Sequence, residues 1–464
     1  MNPSKYSLNN IHFVGIGGSG MSGIAEVLYN LGYKVTGSDK KASDITKRLT
    51  DMGIEINFDH SASNLKEAEM VVISSAISED NPEVKEAKQR FIPVLARAEM
   101  LSSLMNAKRG IAIAGTHGKT TTTSIVASVM TEAGLDPTFI NGGIINSFNS
   151  NAQLGKGEYL IAEADESDKS FLLLQPSISI ITNIEPDHLT NYDNNFQNLK
   201  IAFLDFIKKL PFNGIAIVCG DDPIIRELIS EFSRPYITYG FNADNDFVIS
   251  NYSSNDFKSS FNLRSESENL DLTLNMLGRH NVLNAAAAVV LSIQEGISKE
   301  VISHSLENFM GINRRMQVLG KLSINGSSCF LVDDYGHHPT EIKSTISSIR
   351  ESFPEKEINM VFQPHRYTRT KDLFFEFVEV LIGVDNLVLL DIYSAGEDKI
   401  KGINSRELMK RIIERGFNKV EILNSSIEII QYLEDQINHD SVLIIQGAGN
   451  ISEISTEIKN RYLD

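Results

Sequence analysis

The segment Gly115-Thr116-His117-Gly118-Lys119-Thr120 constrains the fold of this chain more than any other. It follows an apolar run at residues 110–114, predicted to be a buried strand, and precedes a helical pattern at residues 121–133. Such a loop surrounds phosphates with backbone N–H groups, while its lysine neutralises charge and its hydroxyl reaches Mg²⁺. The spacing is shorter than G-x-x-x-x-G-K-T, because Ile113 stands at the first glycine position. The segment predicts a nucleoside triphosphate site, against the alternative of a tight turn without a ligand.

A second glycine loop lies near the N-terminus. Residues 15–20 read Gly-Ile-Gly-Gly-Ser-Gly, which fits G-x-G-x-x-G between a predicted strand and helix. An acid, Asp39, follows about 20 residues later, as in dinucleotide-binding folds, where it contacts a ribose. The motif reads a diphosphate and not the base, so NAD and a UDP-sugar both remain candidates, with a structural turn as the alternative.

Composition limits the classes of partner. The chain has 464 residues and a net charge of -17, which argues against a general nucleic-acid or anionic-membrane binder. Its only cysteines, Cys219 and Cys329, are too few for a disulfide framework and favour a reducing compartment. No secretory signal and no apolar run of about 18 residues is evident, so we expect a cytoplasmic protein without membrane insertion.

Strand and helix patterns alternate along the chain, which predicts α/β domains with parallel sheets. We expect three, at residues 1–108, 109–315 and 316–464. An Asn-, Ser- and Asp-rich stretch, 242–271, predicts irregular or hairpin structure. The predicted strands are 11–16, 34–37, 70–74, 111–114, 159–164, 179–182, 214–219, 329–332, 358–362, 387–390 and 442–445, and the further helices are 21–31, 44–52, 281–294 and 299–309.

Polar side chains follow several of these strands. Glu163 opens an acidic cluster (163–168) that is well placed to hold Mg²⁺, although acid clusters are commonly only solvated loops. His188 lies after the next strand as a metal or phosphate contact, or as a structural histidine. Asn281 and Asn284 are three apart on one helical face, where they contact a nucleotide or only cap the helix. Basic residues at 365–369 suggest an anionic ligand in an acidic chain, with a solvated loop as the alternative.

Eight segments, in this order, resemble those of the Mur ligase family across nearly the whole chain. The resemblance is closest to the branch that joins L-alanine to UDP-N-acetylmuramate. It implies a Rossmann-like N-terminal domain that binds the UDP substrate, a central P-loop-type ATPase domain and a Rossmann-like C-terminal domain. The segments are GIGGSGMSGIA, AGTHGKTTTT, EADESD, TNIEPDHLTNY, GRHNVLNAAAA, NRRMQVLG, VDDYGHHPTE and FQPHRYTRT.

The resemblance also implies a reaction, in which ATP phosphorylates the lactyl carboxylate and the amine of L-alanine attacks the acyl phosphate. It assigns Lys119, Glu163, His188, Asn284, Arg315 and Asp334 to catalysis. Thr120, Glu163 and His188 would bind Mg²⁺. The implied ATP contacts are Gly115, Thr116, His117, Gly118, Lys119, Thr120, Thr121, Asn281, Asn284, Arg315 and Asp334. The implied UDP-substrate contacts are Gly17, Ser19, Gly20, Met21, Ser38 and Asp39, and those to the amino acid and muramoyl group are Tyr335, His337, His365, Arg366 and Arg369.

The sequence departs from the pattern of the family at one position, and three alternative functions stay open. Later-acting members of the family carry a carbamoylated lysine where this chain has Phe203; Lys200 lies three residues earlier, so we do not predict the modification. A recycling ligase that attaches an intact peptide would share most of these motifs. An NAD-dependent oxidoreductase would leave the loop at Gly115 without a role. A non-catalytic nucleotide switch would leave the basic 365–369 cluster unexplained.

Overall fold

Alternating strands and helices run through the chain, as the sequence pattern predicts. The computed structural model describes residues 8–324, 326–437 and 439–463. It divides into two units, of which the first comprises the chain up to residue 251 with 262–272 and 283–310. The second comprises 252–261, 273–282 and the chain from residue 311 onward.

The N-terminal part of the first unit is a parallel sheet with strand order β3-β2-β1-β4-β5. The carboxyl ends of parallel strands share an edge, so the loops after β1 and β2 are neighbours. The elements are β1 (Asn10–Val14), α1 (Ser19–Asn30), β2 (Lys34–Ser38), α2 (Asp44–Asp51), β3 (Glu55–Asn57), a 3₁₀ turn (Ala62–Leu65), β4 (Met70–Ile73), α3 (Pro82–Gln89), β5 (Val94–Ala96) and α4 (Arg97–Asn106).

A larger sheet follows. Its order is β15-β14-β13-β12-β11-β10-β6-β9-β7-β8, with β6 parallel to both β9 and β10. The loop that follows β6 therefore lies between the loops that follow β9 and β10. The elements are β6 (Arg109–Ala114), α5 (Lys119–Glu132), β7 (Thr138–Ile145), β8 (Ser150–Gln153), β9 (Tyr159–Glu163), β10 (Ile178–Ile181), α6 (Phe196–Lys208), β11 (Ile215–Cys219), α7 (Pro223–Leu228), β12 (Tyr236–Gly240), β13 (Phe247–Asn255), β14 (Lys258–Arg264), β15 (Asn269–Leu274), α8 (Arg279–Gln294) and α9 (Lys299–Glu307), with 3₁₀ turns at Ser170–Leu173, Leu189–Tyr192 and Ile229–Glu231.

The stretch at 242–271 forms consecutive neighbouring strands, which is the hairpin alternative of the expectation. Irregular structure was the wrong alternative, because β13, β14 and the first half of β15 lie in the stretch. In β14, buried Phe261 and Leu263 alternate with more exposed polar residues, and Leu270 and Leu272 do the same in β15. These strands lie at one edge of the sheet, and their polar residues form its more exposed face. The many polar residues make the stretch look irregular by composition, although the apolar residues alternate as in a strand.

The C-terminal sheet has the order β16-β17-β21-β18-β19-β20 and is parallel except for β16. Helices cover both faces over two apolar layers. The sequence pattern missed β16 and β20. The elements are β16 (Gln317–Ile324), β17 (Ser327–Asp334), α10 (Pro339–Ser352), β18 (Glu357–Phe362), α11 (Tyr367–Asp372), α12 (Phe374–Leu381), β19 (Asn386–Leu389), α13 (Ser405–Glu414), β20 (Val420–Ile422), α14 (Ser426–Gln436), β21 (Ser441–Gln446) and α15 (Ser452–Tyr462).

The fold class predicted from the sequence is confirmed, with parallel α/β sheets in the N-terminal, central and C-terminal parts of the chain. The boundaries at residues 108 and 315 stay predictions. Among the residues that the structure describes, no helix is long and apolar enough to cross a membrane.

Candidate functional site

The loop after β6 has a backbone that only glycine accommodates at two positions. Gly115 has φ +130° and Gly118 has φ +86°. A Cβ atom at Gly115 would lie 2.2 Å from Oγ1 of Thr182, and one at Gly118 would lie 2.3 Å from Oδ1 of Asn284. Asn284, on α8, therefore packs directly against the loop. The structure brings together two residues predicted from separate motifs.

The first half of the loop is fastened to the loop after β10. The backbone N–H of Thr116 donates to the carbonyl of Asn183 (3.1 Å), and that of His117 donates to Oδ1 of Asn183 (2.8 Å). In this conformation these two N–H groups are not available to ATP. Lys119, Thr120 and Thr121 instead form the first turn of α5, where a helix leaves N–H groups without intrahelical partners. A phosphate therefore fits best at the helix end of the loop.

Lys119 is held by a carboxylate that the sequence analysis did not single out. Its Nζ lies 2.9 Å from both carboxylate oxygens of Glu166 and donates to the carbonyl of Gly115 at 2.5 Å. The Glu166 side chain is only 3% exposed and that of Lys119 16%. Burial opposes the charge on Lys119, but Glu166 and Asp165 raise its pKa above the usual range. The lysine is therefore a fixed cation at the loop.

Glu163 is the last residue of β9, beside the end of β6. Its Oε1 accepts a hydrogen bond from the backbone N–H of Gly142 (2.7 Å). A Cβ atom at Gly142 would lie 2.8 Å from Oε2 of Glu163, so the glycine lets the hairpin backbone approach the carboxylate. The carboxylate thus lies at the same sheet edge as the loop that contains Lys119.

His188 directly precedes the 3₁₀ turn Leu189–Tyr192 and has φ +55°. Its backbone N–H donates to Oδ1 of Asp187 (2.7 Å), and its Nε2 lies 3.4 Å from Oδ2 of the same residue. The turn is fastened to the acidic loop, because the hydroxyl of Tyr192 donates to the carbonyl of Glu166 (2.5 Å). The metal role of His188 stays a prediction.

In α6, Lys200 donates to Glu227 at 2.6 Å.

The N-terminal glycine loop is closed by Asp39. The backbone N–H of Gly17 donates to Oδ2 of Asp39 (2.9 Å), and those of Gly15 and Ile16 donate to the carbonyl of Ser38. Ser38 is fully buried, and its hydroxyl donates to Glu83 (2.7 Å). The hydroxyl of Ser38 is therefore used inside the domain. Asp39 therefore has a structural role, because it holds the backbone of the glycine loop. This role is independent of the predicted contact with the UDP substrate.

Arg97 lies at the same loop, although no motif pointed to it. A Cβ atom at Gly20 would lie 2.9 Å from Nη1 of Arg97. Its Nη2 is 3.4 Å from the hydroxyl of Ser170 and 3.9 Å from Oδ2 of Asp165. Ser19 and Gly20 open α1, and Met21 beside them is buried. The guanidinium places a positive charge next to the predicted diphosphate site.

In the second unit, Asp334 is buried among three donors. Its Oδ2 accepts from the backbone N–H of Met316 (2.7 Å), and its Oδ1 accepts from the N–H of Gly336 (2.8 Å) and from Nε2 of Gln446 (3.0 Å). Burial raises the pKa of Asp334. The residue organises the loop after β17, and the predicted ribose contact stays a prediction.

Asn281, on α8, donates to the carbonyl of Leu277 at 2.7 Å.

Aromatic and basic side chains from three predicted segments meet in the second unit. The guanidinium of Arg315 lies 5.1 Å from the ring centroid of Tyr335. The ring of His337 lies 5.4 Å from those of Tyr335 and His365, and Nη1 of Arg369 is 3.4 Å from Nδ1 of His365. We call these five residues the basic cluster. Arg366 is exposed at the start of α11, with φ +73°.

The two histidines of the basic cluster predict a pH-dependent stability. Burial lowers the pKa of His337 to about 4, and burial with the neighbouring His337 lowers that of His365 to about 4. In the unfolded chain both titrate near 6.5. The unfolded state therefore binds more protons below pH 6.5, and the free energy of unfolding should fall as the pH drops from 6.5 towards 4.

Urea titrations at several pH values would measure this slope. His337→Asn should flatten it by removing one titrating group. If the free energy of unfolding of His337→Asn falls with pH as steeply as that of the parent, His337 is not neutral in the folded protein. His304→Asn, at a histidine 64% exposed on α9, is the comparison for the same substitution outside the basic cluster.

Three models of one family match consecutive parts of the chain. They are the Mur ligase family catalytic domain (residues 10–109), the Mur ligase middle domain (113–292) and the Mur ligase glutamate ligase domain (314–449). Together they span most of the sequence.

Solved structures agree with these matches. The UDP-N-acetylmuramate-alanine ligase of Thermotoga maritima is 28% identical, with a TM-score of 0.83 over 97% of this chain and 98% of that chain. A murein peptide ligase from Psychrobacter arcticus shares the fold at 21% identity and a TM-score of 0.71, over 98% of each chain. The MurF ligase of Thermotoga maritima, solved with ADP, matches at 16% identity and a TM-score of 0.63 over 92% of this chain and 95% of that one. With all three of its domains present in order, the chain belongs to the Mur ligase family, the ATP-dependent ligases that build peptidoglycan precursors.

Proposed function

We propose that this enzyme joins L-alanine to the lactyl carboxylate of UDP-N-acetylmuramate, with ATP as the energy source. The observation that carries the proposal is the 28% identity to an alanine ligase over nearly the full length of both chains. The murein peptide ligase covers this chain equally well, but at 21% identity. The sequence also has Phe203 at the position of the carbamoylated lysine of later-acting members.

The proposed division of labour follows the three domains, 1–108, 109–315 and 316–464. The loop at residues 15–20 with Asp39 binds the UDP group, and Arg97 adds positive charge beside it. The loop at residues 115–121 binds the phosphates of ATP. Arg315 of the basic cluster contacts ATP. The remaining members of the cluster, together with Arg366, bind the amino acid and the carboxylate of the muramoyl substrate.

The proposed reaction proceeds in two balanced steps. A lactyl carboxylate oxygen attacks the γ-phosphorus of ATP, which forms an acyl phosphate and releases ADP. The neutral amine of L-alanine then attacks the acyl carbon, phosphate leaves, and the nitrogen loses a proton to form the amide. The first step brings two anions together, so charge neutralisation is the main contribution of the protein. Lys119, fixed by Glu166 and the carbonyl of Gly115, supplies a cation at that point.

A divalent cation fits the donors at this edge of the sheet. The carboxylate of Glu163 and the hydroxyl of Thr120 are the hard oxygen ligands that Mg²⁺ prefers, and His188 is the proposed ligand of a second ion. The backbone N–H of Gly142 holds the carboxylate of Glu163, and a side chain at position 142 would displace that carboxylate. Mg²⁺, when bound, neutralises phosphate charge there.

The test is phosphate release with ATP, Mg²⁺ and UDP-N-acetylmuramate, with L-alanine added or withheld. We expect release only with all four, and one UDP-muramoyl-alanine formed for each phosphate. Turnover with an L-alanyl tripeptide but not with L-alanine would assign the protein to the recycling ligases instead. ATP binding without any product would support a nucleotide switch.

A further inference from the structure

The hairpin formed by β7 and β8 (residues 138–153, "the 138–153 hairpin") touches both predicted nucleotide sites. On one side it packs against α1, the helix that follows the N-terminal glycine loop. A Cβ atom at Gly23 of α1 would lie 3.1 Å from Cγ2 of Ile140 and 3.2 Å from Cβ of Ala152. This approach brings the backbone of α1 directly onto the hairpin, so that even a Cβ atom at Gly23 would make an unusually tight contact.

Asn151 makes the polar contact at this junction. Its Nδ2 donates to the carbonyl of Ser19 (2.9 Å), the first residue of α1 and part of the glycine loop. Its Oδ1 accepts from Nη2 of Arg48 (2.7 Å), and Arg48 also pairs with Glu26 on α1. Asn151 is 3% exposed. A buried amide with partners on both its oxygen and its nitrogen fixes the distance between the hairpin and the loop.

The same hairpin reaches the ATP side. The N–H of Gly142 donates to Oε1 of Glu163 (2.7 Å), and Nδ2 of Asn141 donates to the hydroxyl of Ser124 on α5 (2.9 Å). Nδ2 of Asn151 also lies 3.5 Å from the carbonyl of Asn141. A short chain of hydrogen bonds within the first unit therefore runs from Ser19 through Asn151 and Asn141 to α5, with Glu163 beside it.

We propose that Asn151 is a positioning residue that links the two sites, so that the UDP substrate in the glycine loop strengthens ATP binding at the Lys119 loop. The inference rests on the proposed function of both loops. A ligand that orders residues 15–20 also orders the hairpin, and the hairpin sets the position of Glu163. By thermodynamic reciprocity, ATP strengthens binding of the UDP substrate by the same factor.

The test uses the full-length enzyme and calorimetry. The dissociation constant of a non-hydrolysable ATP analogue with Mg²⁺ is measured with and without saturating UDP-N-acetylmuramate. We expect the wild type to bind the analogue at least about 5-fold more tightly with the UDP substrate, the lower end of typical couplings. Asn151→Asp keeps the acceptor for Arg48 but loses both donors, and should reduce this ratio to below about 2-fold.

Two further variants separate positioning from general packing. Arg48→Lys keeps a charge for Glu26 but loses the planar fork that reaches Asn151, so the ratio should again fall; it decides the question if Asn151→Asp does not fold. Asn146→Ala is the matched control, because this asparagine of the same hairpin donates to the carbonyl of Met310 (2.9 Å) and should keep the full ratio. Melting curves establish that each variant is folded.

The outcomes separate this inference from the proposed function. A ratio near 1 in the wild type, or an undiminished ratio in both Asn151→Asp and Arg48→Lys, would overturn the link. A ratio lost in Asn151→Asp while the analogue alone binds within about 2-fold of wild type supports it. If the wild type binds no UDP-N-acetylmuramate, the proposed function fails first, and the link between these ligands falls with it.

Discussion

Lys119→Ala is expected to lower ATP-dependent turnover by at least about 10²–10³-fold, the effect of removing one preorganised charge-stabilising donor. The structure supplies the reason, since Nζ of Lys119 is already fixed at the glycine loop by Glu166 and two backbone carbonyls. Binding of the UDP substrate should remain close to wild type, because the residue lies on a different loop. Steady-state kinetics and calorimetry with UDP-N-acetylmuramate measure the two effects separately.

The same substitution should also reduce stability. Removing one partner of a buried ion pair costs about 3–5 kcal/mol, because the remaining charge loses its compensation. Burial raises the pKa of Glu166, so protonation of this carboxyl limits the loss. The double variant Lys119→Met/Glu166→Gln removes both charges and should recover most of the free energy of unfolding without recovering turnover. That difference separates the catalytic charge from its structural role.

A matched control lies at the opposite end of the same strand. Lys108 precedes β6, and its Nζ donates to the carbonyls of Gly155 (2.9 Å) and Gly157 (2.6 Å). Lys108→Met should reduce stability and leave kcat within about 2-fold of wild type. Normal ATP-dependent turnover by Lys119→Ala, with the control behaving as described, would refute the role assigned to Lys119.

The positions of the two loops were predictable from the sequence, because each depends on local order. Glycines that need positive φ, at Gly15, Gly115 and Gly118, lie between an apolar strand and a helix, and all of these features are contiguous in the chain. The carboxylate at Glu163 was predictable for the same reason, since it ends a buried strand. The parallel sheets follow from the alternation of strands and helices.

The partners of these residues were not predictable, because they come from distant segments. Arg97 reaches the loop at Gly20 only through the packing of α4, and no motif surrounds it. Glu166 was visible as one acid of a cluster, but the sequence does not indicate which acid turns inward to Lys119. In the sequence Asn151 looks like an ordinary asparagine of a turn. Its role depends on the packing of β8 against α1, which the sequence pattern does not show. Single-sequence patterns record periodicity and turns, whereas these contacts depend on the order of strands in the sheet.

Glu163→Gln is expected to lower kcat by about 10²-fold or more and to raise the Mg²⁺ concentration needed for half-maximal turnover. Gln has almost the same shape, so the hydrogen bond from the N–H of Gly142 to an oxygen at this position is retained. The variant loses the negative charge, which is the property that a hard divalent cation requires of its ligand. Turnover measured over a Mg²⁺ titration at saturating ATP separates weakened metal binding from a slower chemical step.

Glu158→Gln provides the matched control for this prediction. Glu158 is an exposed acid directly before the same strand, β9, at the end away from the loop. The control should keep both kcat and the Mg²⁺ midpoint of the wild type. If Glu163→Gln shows the wild-type Mg²⁺ midpoint and turnover, Glu163 is only the partner of Gly142, and the metal site must be sought among the other acids of residues 163–168. A raised midpoint with kcat recovered at high Mg²⁺ would instead assign Glu163 to metal affinity, because the reaction itself would then proceed without its charge.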